Sequence, residues 1–139
     1  MLTLAEKISR AEHFFHYKWT REELLVHRGR LLDISEWLSR NFPSPYPYKL
    51  SQTNRLAYTQ EGIKFPIFGQ CSCENGKMLI QIHSNLPLHE KIETLLHEWA
   101  HAHTWRHLNI ELEREEHDDE FYLVLGRIER AWENAWHMN

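Results

Sequence analysis

Five consecutive residues carry the chemistry of this chain: His97-Glu-Trp-Ala-His101. On a helix, residues four apart lie about 40° from one another around the axis and one turn apart along it. Both imidazoles can therefore reach one metal ion. Glu98, about 100° round from His97, stands close to such an ion without displacing a histidine. A carboxylate there is placed to take a proton from a metal-activated water. The pattern points to metal-assisted hydrolysis, provided the segment is helical and a third ligand converges on it.

A third ligand is expected at His117. Phe121, Val124 and Ile128 follow it at helical spacing, so all four share one face. If that face packs on the helix of His97 and His101, His117 points at the same ion. Three protein ligands plus water make the usual catalytic zinc site. Glu113 and Glu116 stand as alternatives, of which only one group can fit. His103 lies about 200° from His101 and is expected to face away. His107 follows the helix, where it could touch substrate. Asp118 reads either as an acceptor for a ligand imidazole N–H or as a solvated acid in a first helical turn. Tyr122 is the nearest candidate to polarise a scissile carbonyl, and its bland reading is structural. Cys71 and Cys73 form a Cys-x-Cys pair, which reads better as a buried or edge-strand pair than as a metal site.

These residues need elements to hold them. Leu88, Ile92, Leu95, Leu96 and Trp99 form one stripe after Pro87, which makes the metal segment the end of an apolar helix. A last helix begins between Leu112 and His117 and runs to about Trp136. Phe121, Val124, Ile128, Ala131 and Ala135 form its inward stripe. Before the metal helix, Asn75-Gly76 separates two short runs, Ile67–Cys73 and Lys77–His83, the signature of a hairpin in a small antiparallel sheet. At the N-terminus, Thr3 with Glu6 and Thr20 with Glu23 have capping-box spacing. The first heads a stripe of Leu4, Ile8, Ala11 and Phe15. The second heads a repeat of Leu24, Leu31 and Leu38, with Leu25 and Leu32 beside it. Gly29 is a possible bend in that helix. Pro43, Pro45 and Pro47 end it in a stiff connector. The aromatic run His13–Trp19 and the tryptophans Trp132 and Trp136 read as core packing, with a partner surface as the alternative for the run.

The segment Thr94-Leu-Leu-His-Glu-Trp-Ala-His101, followed by His117-Asp-Asp-Glu-Phe121, resembles the SprT-like metallopeptidases, a branch of the zincins. Those pair H-E-x-x-H with a downstream histidine that opens an H-x-x-x-[FW] segment on the next helix. The strand-turn-strand from Gly69-Gln-Cys-Ser-Cys through Ile80-Gln-Ile82 also resembles that family and its small phage and bacterial relatives. The resemblance covers roughly residues 48 to 136. It implies a zinc-dependent peptidase with His97, His101 and His117 as ligands and Glu98 as general base. Larger members carry a zinc ribbon or a basic DNA-binding tail. This chain has no four-cysteine set and is acidic, so a role in DNA–protein crosslink repair is not implied.

Composition bounds the rest. The 139 residues, 42% hydrophobic and 26% charged, suit one globular domain over 1–139, with a helical part at 1–41 and the sheet and active-site helices at 48–136. No apolar run approaches the roughly 20 residues of a membrane span. The charged start argues against a secretory leader, and two cysteines one residue apart build no disulfide framework, so a reducing cytoplasm is expected. A net charge of −4 argues against direct nucleic-acid binding. The expected fold is α+β, a minimal zincin, and the expected function is peptide-bond hydrolysis with Zn2+ on a protein or peptide substrate. The alternative is a non-catalytic zincin-fold module that keeps structural zinc and acts through protein–protein contacts.

Overall fold

The computed structural model describes residues 3–16, 19–105 and 119–137. Helix α1 (Leu4–His16) opens on Thr3, whose Oγ1 accepts from the Glu6 N–H at 3.2 Å. Helix α2 (Arg21–Asn41) has the complete capping box. The Glu23 N–H donates to Thr20 Oγ1 and the Thr20 N–H to Glu23 Oε1, each at 3.1 Å. The same bonds hold the Glu23 carboxyl below its ordinary range. The helix continues through Gly29 and buries His27, Leu31, Ile34, Ser35 and Leu38. That stripe differs from the leucine repeat. Leu31 and Leu38 belong to it, but Leu25 and Leu32, one position further round, are exposed. The Phe42 N–H closes the helix on the Leu38 carbonyl at 2.7 Å, and three prolines then lead the chain out extended.

Five strands follow: β1 (Tyr48–Thr53), β2 (Ala57–Gln60), β3 (Ile63–Pro66), β4 (Gly69–Glu74) and β5 (Lys77–His83). They make a three-stranded sheet in the order β1-β5-β4 and a separate β2-β3 pair, against which α1 packs. The expected hairpin is present: β4 and β5 are antiparallel, and Asn75 and Gly76 take φ of 53° and 72° at the turn. Such positive values at both central residues suit a two-residue hairpin and explain the Asn-Gly pair.

The expectation of an antiparallel sheet requires correction, because β1 runs parallel to β5, with Tyr48 opposite Met78 and Thr53 opposite His83. The cause is topological. After β1 the chain leaves the sheet through β2 and β3, returns in β4, and reverses once more into β5. Parallel neighbours need such a crossover. Central strand β5 turns Met78, Ile80 and Ile82 into the core, all fully buried.

Helix α3 (Leu88–His103) crosses this sheet, in contact with β4, β5 and α2. Its buried residues include Leu95, Leu96, Trp99, Ala100 and Ala102. The Trp99 indole N–H donates to the Phe42 carbonyl at 2.7 Å, tying the end of α2 to α3. Helix α4 (Asp119–Trp132) packs on α3 and buries Phe121, Val124, Ile128 and Trp132. The expected stripe holds as far as Ile128. Beyond it, Ala131 is half-buried, Ala135 is exposed and Trp132 takes the inward place. Spacings of three and four keep 121, 124, 128 and 132 in phase. The π-helical turn Glu133–His137 then breaks that phase. Among the described residues, no helix is long and apolar enough to cross a membrane.

Candidate metal centre

The final turns of α3 carry the motif as expected. His97, Glu98 and His101 bring one ligand atom each to within 4.8 Å of one another. The two imidazoles lie one turn apart with ring centroids 5.1 Å apart. His101 and Glu98 are buried and His97 is half-buried. These three can hold a metal ion: two neutral ring nitrogens and a carboxylate are a donor set that divalent cations accept.

Phe121, at the head of α4, stacks on His101 with ring centroids 4.3 Å apart, and its centroid lies 5.0 Å from that of His97. The apolar face of α4 therefore packs directly on the histidine pair, the arrangement on which the third-ligand expectation depended. His117 itself lies outside the described residues, as do Glu113, Glu116, Asp118 and His107. His103 faces away, as its phase requires: its Nδ1 is 2.7 Å from the Pro43 carbonyl and its ring packs edge-on to Phe42. Tyr122 is exposed on the outer side of α4, with its ring 5.3 Å from that of Phe121. Cys71 and Cys73 are half-buried on edge strand β4, packed against the core.

A cavity of about 410 Å³ opens beside the motif, bounded by Phe68, Gly69, Glu93, Thr94, His97, Glu98 and His101. Its wall opposite α3 is the start of β4, and a glycine is required there. A Cβ on Gly69 would lie 2.5 Å from Thr94 Cγ2, 3.0 Å from Glu98 Cγ and 3.2 Å from the Gln81 carbonyl oxygen. The missing side chain lets the strand settle on the helix at the level of Glu98. Phe68, next to it, is half-exposed at the rim.

Behind this wall lie polar residues that sequence reasoning passed over. The His83 N–H donates to the Phe68 carbonyl at 2.8 Å, and its Nδ1 accepts from the Asn85 N–H at 3.2 Å. His83 is fully buried. Burial first, then the charges of Lys91 and Lys64, push its pKa down to about 4, so the ring is neutral. Lys91 is fully buried in α3. Its Nζ donates to Gln52 Oε1 at 2.7 Å and lies 2.8 Å from His27 Nδ1. Burial pushes this amine down to about 8. His27 is likewise lowered, by burial first and Lys91 second. Trp19, the described end of the aromatic run, packs edge-on to His27 and donates to the Leu86 carbonyl at 3.1 Å, so it belongs to the packing. One signal for Lys91 was available. It precedes Leu95 by four and Glu98 by seven, in phase with the buried face of the helix.

Comparison with protein-family models, curated proteins and solved structures returned no match.

Proposed function

We propose that the protein is a zinc-dependent metallopeptidase of the SprT-like kind. The observation that carries this reading is the convergence of His97, Glu98 and His101 beside an accessible cavity at the end of α3. Imidazole nitrogens suit zinc, and His117, four residues ahead of Phe121 in the sequence, completes a three-histidine set in this reading. When bound, zinc polarises the scissile carbonyl and acidifies a water. Glu98 takes the proton released in the attack and returns it to the leaving amine. The absence of a Cβ at Gly69 leaves the Glu98 side chain its place beside β4. Strand β4 is bonded to β5 on one side and is the sheet edge on the other. An extended peptide can pair with such an edge, which would carry its carbonyls past the motif.

One observation favours the non-catalytic alternative. The Glu98 carboxylate lies near enough to the imidazole nitrogens to serve as a ligand itself. In that case the donor set closes and no base remains. One variant separates the readings. In the peptidase, Glu98→Gln keeps about one zinc per chain by elemental analysis and loses cleavage of an unfolded protein such as casein. In the closed site, Glu98→Gln loses zinc as His101→Ala does, and the wild type cleaves nothing.

A further inference from the structure

A larger cavity lies elsewhere, as a groove of about 630 Å³ between α2 and β1. Residues 49 to 55 line it consecutively, so the groove follows the backbone edge of β1 rather than one face of the strand. That edge is the one not bonded to β5. Four cations line the groove, Arg21 and Arg28 from α2 and Lys49 and Arg55 from β1 and its end, and among the described residues no carboxylate does. The chain as a whole carries −4, so this local excess runs against the overall balance. Beneath the wall is a further cation. Gln52, which lines the groove, receives its bond from the buried Lys91. The remaining lining is five leucines and the polar Ser51, Thr53, Asn54 and Ser84, and of the leucines Leu25 and Leu32 are 54% and 37% exposed.

We propose that this groove docks an extended acidic segment of a partner protein. The segment's carboxylates would meet Arg21, Arg28, Lys49 and Arg55, and its apolar side chains Leu25 and Leu32. A small anion does not account for the arrangement. Arg21 and Arg28 are two turns apart, about 10 Å along the helix, and Lys49 lies about 13 Å along β1 from Thr53, with Arg55 beyond the strand's end. Single-stranded nucleic acid is disfavoured because, among the described residues, no aromatic ring lines the groove for bases to stack on, while several leucines do. An extended peptide uses all three features: bonds to the free strand edge, ion pairs on alternate residues, and apolar contacts between them. Strands β1 and β4 are opposite edges of the same sheet, so the groove is separate from the metal centre and the proposal does not rest on the peptidase reading.

The test is fluorescence anisotropy with a labelled peptide of roughly eight residues alternating glutamate and valine, long enough to span β1. Controls are the lysine–valine counterpart and an oligothymidylate of equal length. The glutamate peptide is expected to bind in the micromolar range and to weaken several-fold as salt rises from about 50 to 200 mM. The double variant R28E/K49E, altered only at exposed side chains, is expected to lose at least tenfold in affinity with an unchanged circular-dichroism melt. Amide shifts in the wild type are expected at residues 49–55. The proposal is overturned by undiminished binding to the double variant, by equal binding of the lysine peptide, by preference for oligothymidylate, by shifts on β4 instead of β1, or by no binding at all.

Discussion

Gly69 shows how far a single atom governs the candidate centre. Its absent Cβ is what lets β4 approach Thr94 and Glu98. Gly69→Ala is therefore expected to push the strand from α3, costing about 1–3 kcal/mol of stability and shifting Glu98 relative to the histidines. A lowered melting temperature, with casein cleavage reduced while zinc stays bound, would check this, and a variant with wild-type stability and cleavage would refute it. The motif itself was legible because its chemistry depends on local spacing: five residues on one helix suffice to bring two imidazoles and a carboxylate together. Gly69 was legible only as punctuation, because its role depends on a helix that follows it in sequence and passes under it in space. A glycine inside a strand does carry a general warning of close backbone approach. His83 and Lys91 were missed for a related reason, since charge and polarity argue for the surface until a buried partner is known.

Helix starts and the hairpin were the elements most open to reading, because each rests on bonds between neighbours in sequence. Thr20 and Glu23 close their box within four residues, and Asn75-Gly76 makes its turn within two. Thr20→Ala should lower the melting temperature by about 3–6 °C, the usual effect of losing one cap in a domain of this size. An unchanged melt would mean that tertiary packing, and not the cap, sets where α2 begins. What could not be read was the pairing of β1 with β5. A parallel partner is chosen by how the intervening chain crosses, and alternation along Tyr48–Thr53 contains no record of that. The same limit explains the drift in α4. Its four inward residues follow the helical period, with Trp132, four after Ile128, in the place expected of Ala131, and the π-helical turn from 133 changes the count only beyond it, where Ala135 is exposed.

At the scale of the whole molecule, two buried bases set opposite ends of the pH profile, and both act whether or not metal is bound. His83 is held down to about 4, against an ordinary value near 6.5. Between those values the unfolded chain binds a proton that the folded chain refuses, so stability is present above about 6.5 and falls on acidification. His27, lowered by its own burial and by Lys91, adds to the same slope. Zinc loss from a histidine site acts in the same window. A melt of the intact protein against pH thus cannot by itself report the metal. Lys91 works at the other end. Its pKa of about 8, against 10.5 unfolded, means that the folded chain sheds its proton first, so stability should rise from about pH 8 to 10.5 by roughly 1 kcal/mol per pH unit. Lys91→Met should flatten that rise and, by removing a charge that depresses His83, make the acid loss smaller. The decisive measurement is the melting temperature of chelator-treated wild type, His83→Asn and Lys91→Met between about pH 4 and 10. Chelated wild type should still lose stability below pH 6.5, and His83→Asn should lose less of it. If the chelated protein is flat through that window and only the zinc-loaded protein slopes, the acid transition belongs wholly to the metal site. His83 would then not be the buried neutral ring that its place in the core implies.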